Sequence, residues 1–352
     1  MAGGSDLVLE IKSTVNQILR LLRAIPGRRS GLVLSRFLVY LFRKSVLRRP
    51  VPYYFSLEIT RRCQARCAHC CAEASPKDKR RELTTEEVKS LILGARSIGS
   101  CFLIFNGGEP LLRPDLPELV RFAADNGFQT RLNTNALLLD RVRVAALKKA
   151  GLRQCAVSLD SADPKTHDRM RGVPGAQAKV LESLRLLRAA RLDSVVYTFV
   201  SKRNTVADLR ATIALARRAG ARSLYLTPLI AAGRLSGEFG QTLDAREMES
   251  IRQLQDFRVV HMELPSRLNN CNAYRRFLFH VTAQGDATPC PFTPFALADV
   301  RKVSLPEAWD RFQAGLKFHS RGACPLNDRQ SRRKFEDYVR GVARRLRPEA
   351  GD

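Results

Sequence analysis

The chain has 352 residues, enough for one large domain plus a smaller appendage, and its 45% hydrophobic content is that of an ordinary globular protein. No stretch offers the roughly 20 uninterrupted apolar residues of a spanning helix, and Asp6 and Glu10 sit where an export signal would be cationic, so the expected location is the cytoplasm or its inner membrane face. A formal charge of +26 suits nucleic acid, anionic lipid or an acidic protein partner, and does not choose among them.

In chain order, residues 1–50 read as a basic helical extension. Leu7 to Ile25 predicts an amphipathic helix, Pro26 and Gly27 break it, and Leu32 to Leu47 predicts a second helix that mixes Phe37, Tyr40 and Phe42 with Arg36, Arg43 and Lys44. Such a helix either packs over the main domain or lies on a membrane surface. From 51 to 232, six β-rich runs alternate with helical patterns: Tyr54–Thr60, Cys101–Phe105, Phe128–Asn133, Cys155–Leu159, Ser194–Val200 and Ser223–Thr227. One intervening helix opens on a capping box, Thr84 with Glu87. Regular alternation predicts a parallel sheet with right-handed crossovers, and six units predict an α/β fold, a partial (β/α)6 barrel of TIM-like type with its chemistry at the C-terminal strand ends. Residues 233–270 read as a linker with a helix and a strand, 271–328 as a small α+β domain and 329–352 as a basic tail.

The nine cysteines are unevenly spaced. Clustered cysteines in a large chain without an export signal favour metal over disulfides. Cys101 and Cys155 fall in apolar runs and read as small buried hydrophobes. Cys63, Cys67 and Cys70 follow the first strand directly, on the loop where such a barrel places its active site. Three thiols can hold three irons of a [4Fe-4S] cluster and leave the fourth open, whereas structural zinc asks for four closed ligands. The adjacent Cys71 reads as a bystander, and His69 as a packing residue near the ligands.

Cys63-Gln-Ala-Arg-Cys67-Ala-His-Cys70 resembles the signature of the radical S-adenosylmethionine superfamily, including a ring-bearing residue before the third cysteine. A second likeness follows strand two, Asn106-Gly107-Gly108-Glu109-Pro110, where the family binds the amino group of S-adenosylmethionine. Paired glycines admit close backbone approach, and Glu109 would supply a carboxylate for an ammonium. The resemblance further implies Ser158 and Asp160 near ribose or substrate, and Arg171, with Arg169 second, near the methionine carboxylate. Asn133-Thr-Asn135 and Asn204 are softer matches. The family's chemistry would be reductive cleavage of S-adenosylmethionine to a 5′-deoxyadenosyl radical that removes a hydrogen atom from a substrate, with a flavodoxin or ferredoxin as electron donor.

Near the C-terminus, Cys271, Cys290 after Gly285, the stretch Val303–Trp309, and Cys324 resemble the auxiliary-cluster region of the SPASM and twitch subfamily. A full two-cluster domain of that kind needs about seven cysteines by the ligand count of such clusters. Here three are present, and Asn327 stands where another might be expected. One further iron-sulfur cluster, or a degenerate domain without one, is implied. Family members modify peptides or act in natural-product and cofactor biosynthesis. A lipid-linked or RNA substrate, and a zinc-holding nucleic-acid-binding protein, are the competing expectations, the last leaving Gly107 to Pro110 unexplained.

Overall fold

The structure, a computed structural model, describes residues 29–74, 81–256, 258–262, 273, 276–293, 295–315 and 324–346. The helix expected over Leu7 to Ile25 and the ligand candidate Cys271 lie outside the described residues.

All six expected strands are present: β1 (Tyr54–Glu58), β2 (Phe102–Asn106), β3 (Gln129–Thr134), β4 (Gln154–Ser158), β5 (Asp193–Val200) and β6 (Ser223–Pro228). They lie side by side in chain order and all parallel. Sequential order with a helix in each crossover gives the partial TIM-like barrel read from the sequence. Beyond the barrel the sheet continues at both edges. β7 (Val260–Met262) adds parallel to β6, and β8 (Leu278–Val281) adds parallel to β1. β8 then turns through Gly285 into β9 (Asp286–Thr288), which pairs with the short β10 (Ala298–Asp299).

Side-chain alternation divides the sheet into two faces. Phe55, Leu57, Leu103, Phe105, Leu132, Cys155, Val157, Val196 and Leu224 are buried in one apolar cluster with the crossover helices α2 (Thr85–Ser97), α3 (Leu116–Asp125), α4 (Arg141–Ala150), α6 (Ala176–Ala189) and α7 (Val206–Ala219). The alternate residues face the lumen and mix polar side chains with apolar ones such as Phe102, Ile104 and Val195. Ser56 Oγ meets His280 Nδ1 at 2.9 Å, Asn106 donates to Ser56 at 2.7 Å, and Asn133 donates to Asn106 at 2.6 Å. Lower in the lumen Arg131 donates to the Tyr197 hydroxyl at 2.7 Å, its guanidinium 4.9 Å from the Phe102 ring.

The second N-terminal helix is α1 (Arg29–Leu41), prolonged by a π-turn over Phe42–Val46. Phe37 and Tyr40 are buried against Tyr53, which stacks on Phe277, and Phe102 joins the same cluster. These are residues of strand beginnings, so α1 closes the end of the barrel opposite the cysteine loop. Residues 329–346, within the stretch expected as a tail, form the helix α10 (Arg329–Leu346). Its charges hide an apolar stripe: Phe335, Val339 and Val342 recur at helical spacing and are buried in the main core. Helix α8 (Ala245–Arg252) precedes β7, and helix α9 (Leu305–Gly315) buries Trp309 between Phe279 and Phe312.

Candidate active site

Both signature loops leave the C-terminal ends of neighbouring strands, and each is built against the other. After β2, Gly108 N–H donates to Thr60 O at 2.7 Å and Glu109 N–H to Arg62 O at 2.8 Å. A Cβ on Gly107 would lie 2.5 Å from Thr60 O, and one on Gly108 2.4 Å from Arg62 O. The two glycines therefore let this loop press on the chain just before Cys63, which is what they do whether or not a ligand also approaches.

Glu109 is fully buried. Its carboxylate accepts from Thr134 Oγ1 at 2.7 Å, Leu111 N–H at 3.0 Å and Asn135 N–H at 2.8 Å. Burial pushes its pKa up to about 7 against the pull of those three donors. Glu109 thus pins the β2 loop to the end of β3, and of the roughly four acceptor positions of a carboxylate one is left over. Pro110 opens the short 3-10 turn that follows and is buried.

Cys63 is buried, Cys67 and Cys70 are half-buried, and the three pack in one small cluster with Ala65 and Ala74. Each sulfur has an N–H donor. Asn135 Nδ2 approaches Cys63 Sγ at 3.6 Å, Arg171 Nη1 approaches Cys67 Sγ at 3.9 Å, and Ala74 N–H approaches Cys70 Sγ at 3.4 Å. Burial pushes the Cys63 thiol up to about 12 without a metal, and a bound metal ion would replace that proton outright. Among the described residues no three His, Cys, Asp or Glu side chains are placed to share one metal ion. A cubane makes a different demand, since each thiolate takes its own iron. Three sulfurs on one loop, each met by a donor that stabilises negative charge, fit that demand.

The loop rests on helix α5 (Pro164–Arg171), where Arg66 N–H donates to Arg171 O at 3.1 Å and Ala68 N–H to Met170 O at 2.9 Å. Arg171 is buried, its Nε 2.6 Å from Asp160 Oδ2. Burial raises the cost of both charges, but each holds the other ionised, so Asp160 stays below and Arg171 above its ordinary pKa. Asp160 also accepts from Phe199 N–H at 3.2 Å. The second amino group of Arg171, Nη2, is buried and has no hydrogen-bond partner, as are both ring nitrogens of His69 and Nε2 of His167. His69 lies 4.6 Å from the Phe199 ring, and burial lowers its pKa to about 4. A cation paired on one side and unsatisfied on the other is suited to an anionic ligand beside Cys67.

The remaining candidates separate. Ser158 ends β4 and faces the lumen opposite to buried Val157 and Leu159. Arg169 is exposed and its Nη2 lies 3.4 Å from Thr166. Asn204 spends its side-chain oxygen on its own turn, accepting from Ser201 N–H at 2.9 Å. Cys101 and Cys155 are buried, as their apolar runs predicted. Cys290 follows the β8–β9 hairpin with its sulfur 3.1 Å from Thr293 Oγ1, and Cys324 precedes a 3-10 turn at the foot of α10. Burial, with lesser contributions from Cys70, Glu58 and Cys290, pushes the Cys71 thiol up to about 12. Asn327 has a use of its own: it accepts from Ala231 N–H at 2.9 Å and donates to Leu229 O at 3.2 Å.

Residues 57–224 match the model of the Radical SAM superfamily. The chain is 29% identical over 311 residues to an AdoMet-dependent heme synthase of Methanosarcina barkeri, covering 78% of this chain and 88% of that protein. It is 27% identical over 299 residues to a PqqA peptide cyclase of Granulibacter bethesdensis, covering 80% of each. Its fold is similar to that of Streptococcus suis SuiB bound to precursor peptide SuiA, with a TM-score of 0.64, 13% identity, and coverage of 92% of this chain and 86% of that one. The matched span contains both signature loops, the Asp160–Arg171 pair and strands β2 to β5, and it reaches into β1 and β6; this chain is an enzyme of the radical SAM superfamily, which works with a [4Fe-4S] cluster and S-adenosylmethionine.

Proposed function

We propose that Cys63, Cys67 and Cys70 hold the [4Fe-4S] cluster, that S-adenosylmethionine binds beside it, and that a substrate in the lumen loses a hydrogen atom, in peptide modification or in cofactor biosynthesis. The observation that carries this is the N–H donor at each of the three sulfurs. When bound, the cluster and S-adenosylmethionine supply the 5′-deoxyadenosyl radical. The chain's own residues do the aiming. Arg171 Nη2 would take the methionine carboxylate, the Gly107–Pro110 loop would receive the amino group, and Ser158 would face ribose or substrate across the lumen. Helix α1 and the aromatic cluster beneath it close the far end of the barrel and keep water from it. An acidic flavodoxin or ferredoxin is the proposed electron donor, favoured by a net charge of +26. Heme synthase and peptide cyclase relatives of similar coverage support both substrate classes.

Reconstitution without oxygen tests this: after dithionite and S-adenosylmethionine are added, wild-type protein should release 5′-deoxyadenosine and Cys63→Ala none above background. Equal release from both proteins, or none from wild type, would defeat the assignment.

A second reading concerns the membrane. No helix among the described residues is long and apolar enough to span one. The exposed face of α1 and its π-turn nevertheless carries Leu32, Leu38, Val39, Phe42, Val46 and Leu47, beside Arg43, Lys44, Arg48 and Arg49, a pattern that supports peripheral contact with anionic lipid. Of the three aromatics in the sequence pattern only Phe42 is exposed. Sedimentation with vesicles containing phosphatidylglycerol, lost in Phe42→Glu/Val46→Glu, would bear this out, and wild type remaining in the supernatant would refute it.

A further inference from the structure

The segment leaving β6 crosses back over the cysteine loop and holds it at three carbonyls through a single residue. Arg234 N–H donates to Cys70 O at 3.1 Å, Nη1 to Cys67 O at 2.9 Å and Nη2 to Ala74 O at 2.6 Å. Contact this close depends on its neighbour. Gly233 has φ +58°, and a Cβ there would lie 2.3 Å from Cys70 O and 2.6 Å from Cys71 Cα. The same segment is held from behind by the C-terminal region. Asn327 brackets it at Leu229 O and Ala231 N–H, while Arg332 of α10 donates to Ala231 O at 2.7 Å and to Ser236 Oγ at 2.7 Å.

We propose that Arg234 is a positioning residue for the cluster loop, and that residues 229–236 form a strap through which Asn327 and α10 fix the loop's geometry. The inference rests on Cys63, Cys67 and Cys70 being the ligands. The barrel end of the loop is set by β1, the β2 loop and α5. Its far end, Cys70 to Ala74, is set by Arg234. A guanidinium is the group for this task, because its planar fork reaches two carbonyls at once while its own backbone N–H takes the third. Lysine would keep the charge and lose the fork. Asn327, at the position where a further cysteine might be expected, is thereby given work that a thiol with one weak donor could not do.

The strap is tested first in full-length protein without cluster, by hydrogen exchange of the amides of residues 66–74. Arg234→Ala should exchange there on the order of tenfold faster, as loss of the two guanidinium hydrogen bonds to a surface loop predicts, the backbone N–H to Cys70 O being kept. Arg234→Lys should fall between. Arg332→Ala, remote from the loop, should speed the same amides while those of α6 stay unchanged. After reconstitution, Arg234→Ala should lose iron to a chelator several-fold faster than wild type, and the electron paramagnetic resonance signal of its reduced cluster should broaden. Wild-type exchange in both Arg234→Lys and Arg332→Ala would overturn the strap even if Arg234→Ala misfolds. Cys63→Ala separates the two levels: iron retained in that variant would defeat the ligand assignment, and the exchange result would stand on its own.

Discussion

The two cysteine-bearing regions of this chain are built in opposite ways. Cys63, Cys67 and Cys70 sit on a loop braced on every side: by the β2 loop at Thr60 and Arg62, by α5 at Arg66 and Ala68, and by the strap at Cys67, Cys70 and Ala74. Each sulfur has a donor. Cys290 hangs from a two-stranded hairpin, its sulfur beside one hydroxyl, and Cys324 begins a short turn. A site on the end of a parallel barrel inherits the barrel's rigidity, whereas a site assembled from a hairpin and a helix foot depends on the packing of those pieces. The first is preorganised to bind; the second owes its shape to Trp309, Phe335 and the core beneath.

The comparison breaks most completely by removing ligands on either side. Cys67→Ala should abolish 5′-deoxyadenosine release. Cys271→Ala/Cys290→Ala should keep some release and, if a second cluster is present, lower the iron content from about eight to about four per chain. Equal iron in wild type and the double variant would make the C-terminal region a scaffold without a cluster. Next in size is Asp160→Asn, which leaves Arg171 buried and charged without its counter-ion. The expected loss is about 3–5 kcal/mol by chemical denaturation, and a change below about 1 kcal/mol would show that the pair is dispensable to the fold. Gly108→Ala forces a Cβ against the carbonyl of Arg62 and should cost about 1–3 kcal/mol along with cluster retention. Gly285→Ala, on the hairpin side, should leave the first cluster intact.

The smallest effect is a pH dependence in the barrel frame. Asp115 accepts from Arg113 Nε at 2.7 Å and Thr85 Oγ1 at 2.6 Å. Burial pushes its pKa up, but Arg113 and Thr85 outweigh it and hold it below the usual carboxylate value. A depressed folded pKa means stability that is complete above the unfolded value near 4 and is lost as pH falls through the folded one. Asp115→Asn should therefore cost about 1–2 kcal/mol at neutral pH and flatten the acid limb of the stability curve below about pH 4. An unchanged acid limb would remove Asp115 from the account.

What was legible in the sequence follows the same division. The strands are short apolar runs at regular intervals, and the signature cysteines are adjacent in sequence, so local pattern was enough for both. Arg234 was not legible. Its partners lie 160 or more residues away, and its only mark was a Gly-Arg pair after the last barrel strand. The sequence reads Glu109 as a ligand-facing acid because its motif is local; the three donors it also accepts from, one at Leu111 next door and two at the end of β3, carry no such local mark and leave it one acceptor position. Helix α10 was read as a tail because its charge masks Phe335, Val339 and Val342, whose spacing was the available signal.

The measurement closest to the central claim is electron paramagnetic resonance of the reduced, reconstituted protein as S-adenosylmethionine is added. An open iron on a cluster held by Cys63, Cys67 and Cys70 predicts a saturable change in the signal, weakened in Arg171→Ala and absent with the cluster in Cys63→Ala. A signal indifferent to S-adenosylmethionine, or one that survives in Cys63→Ala and still responds, would contradict it.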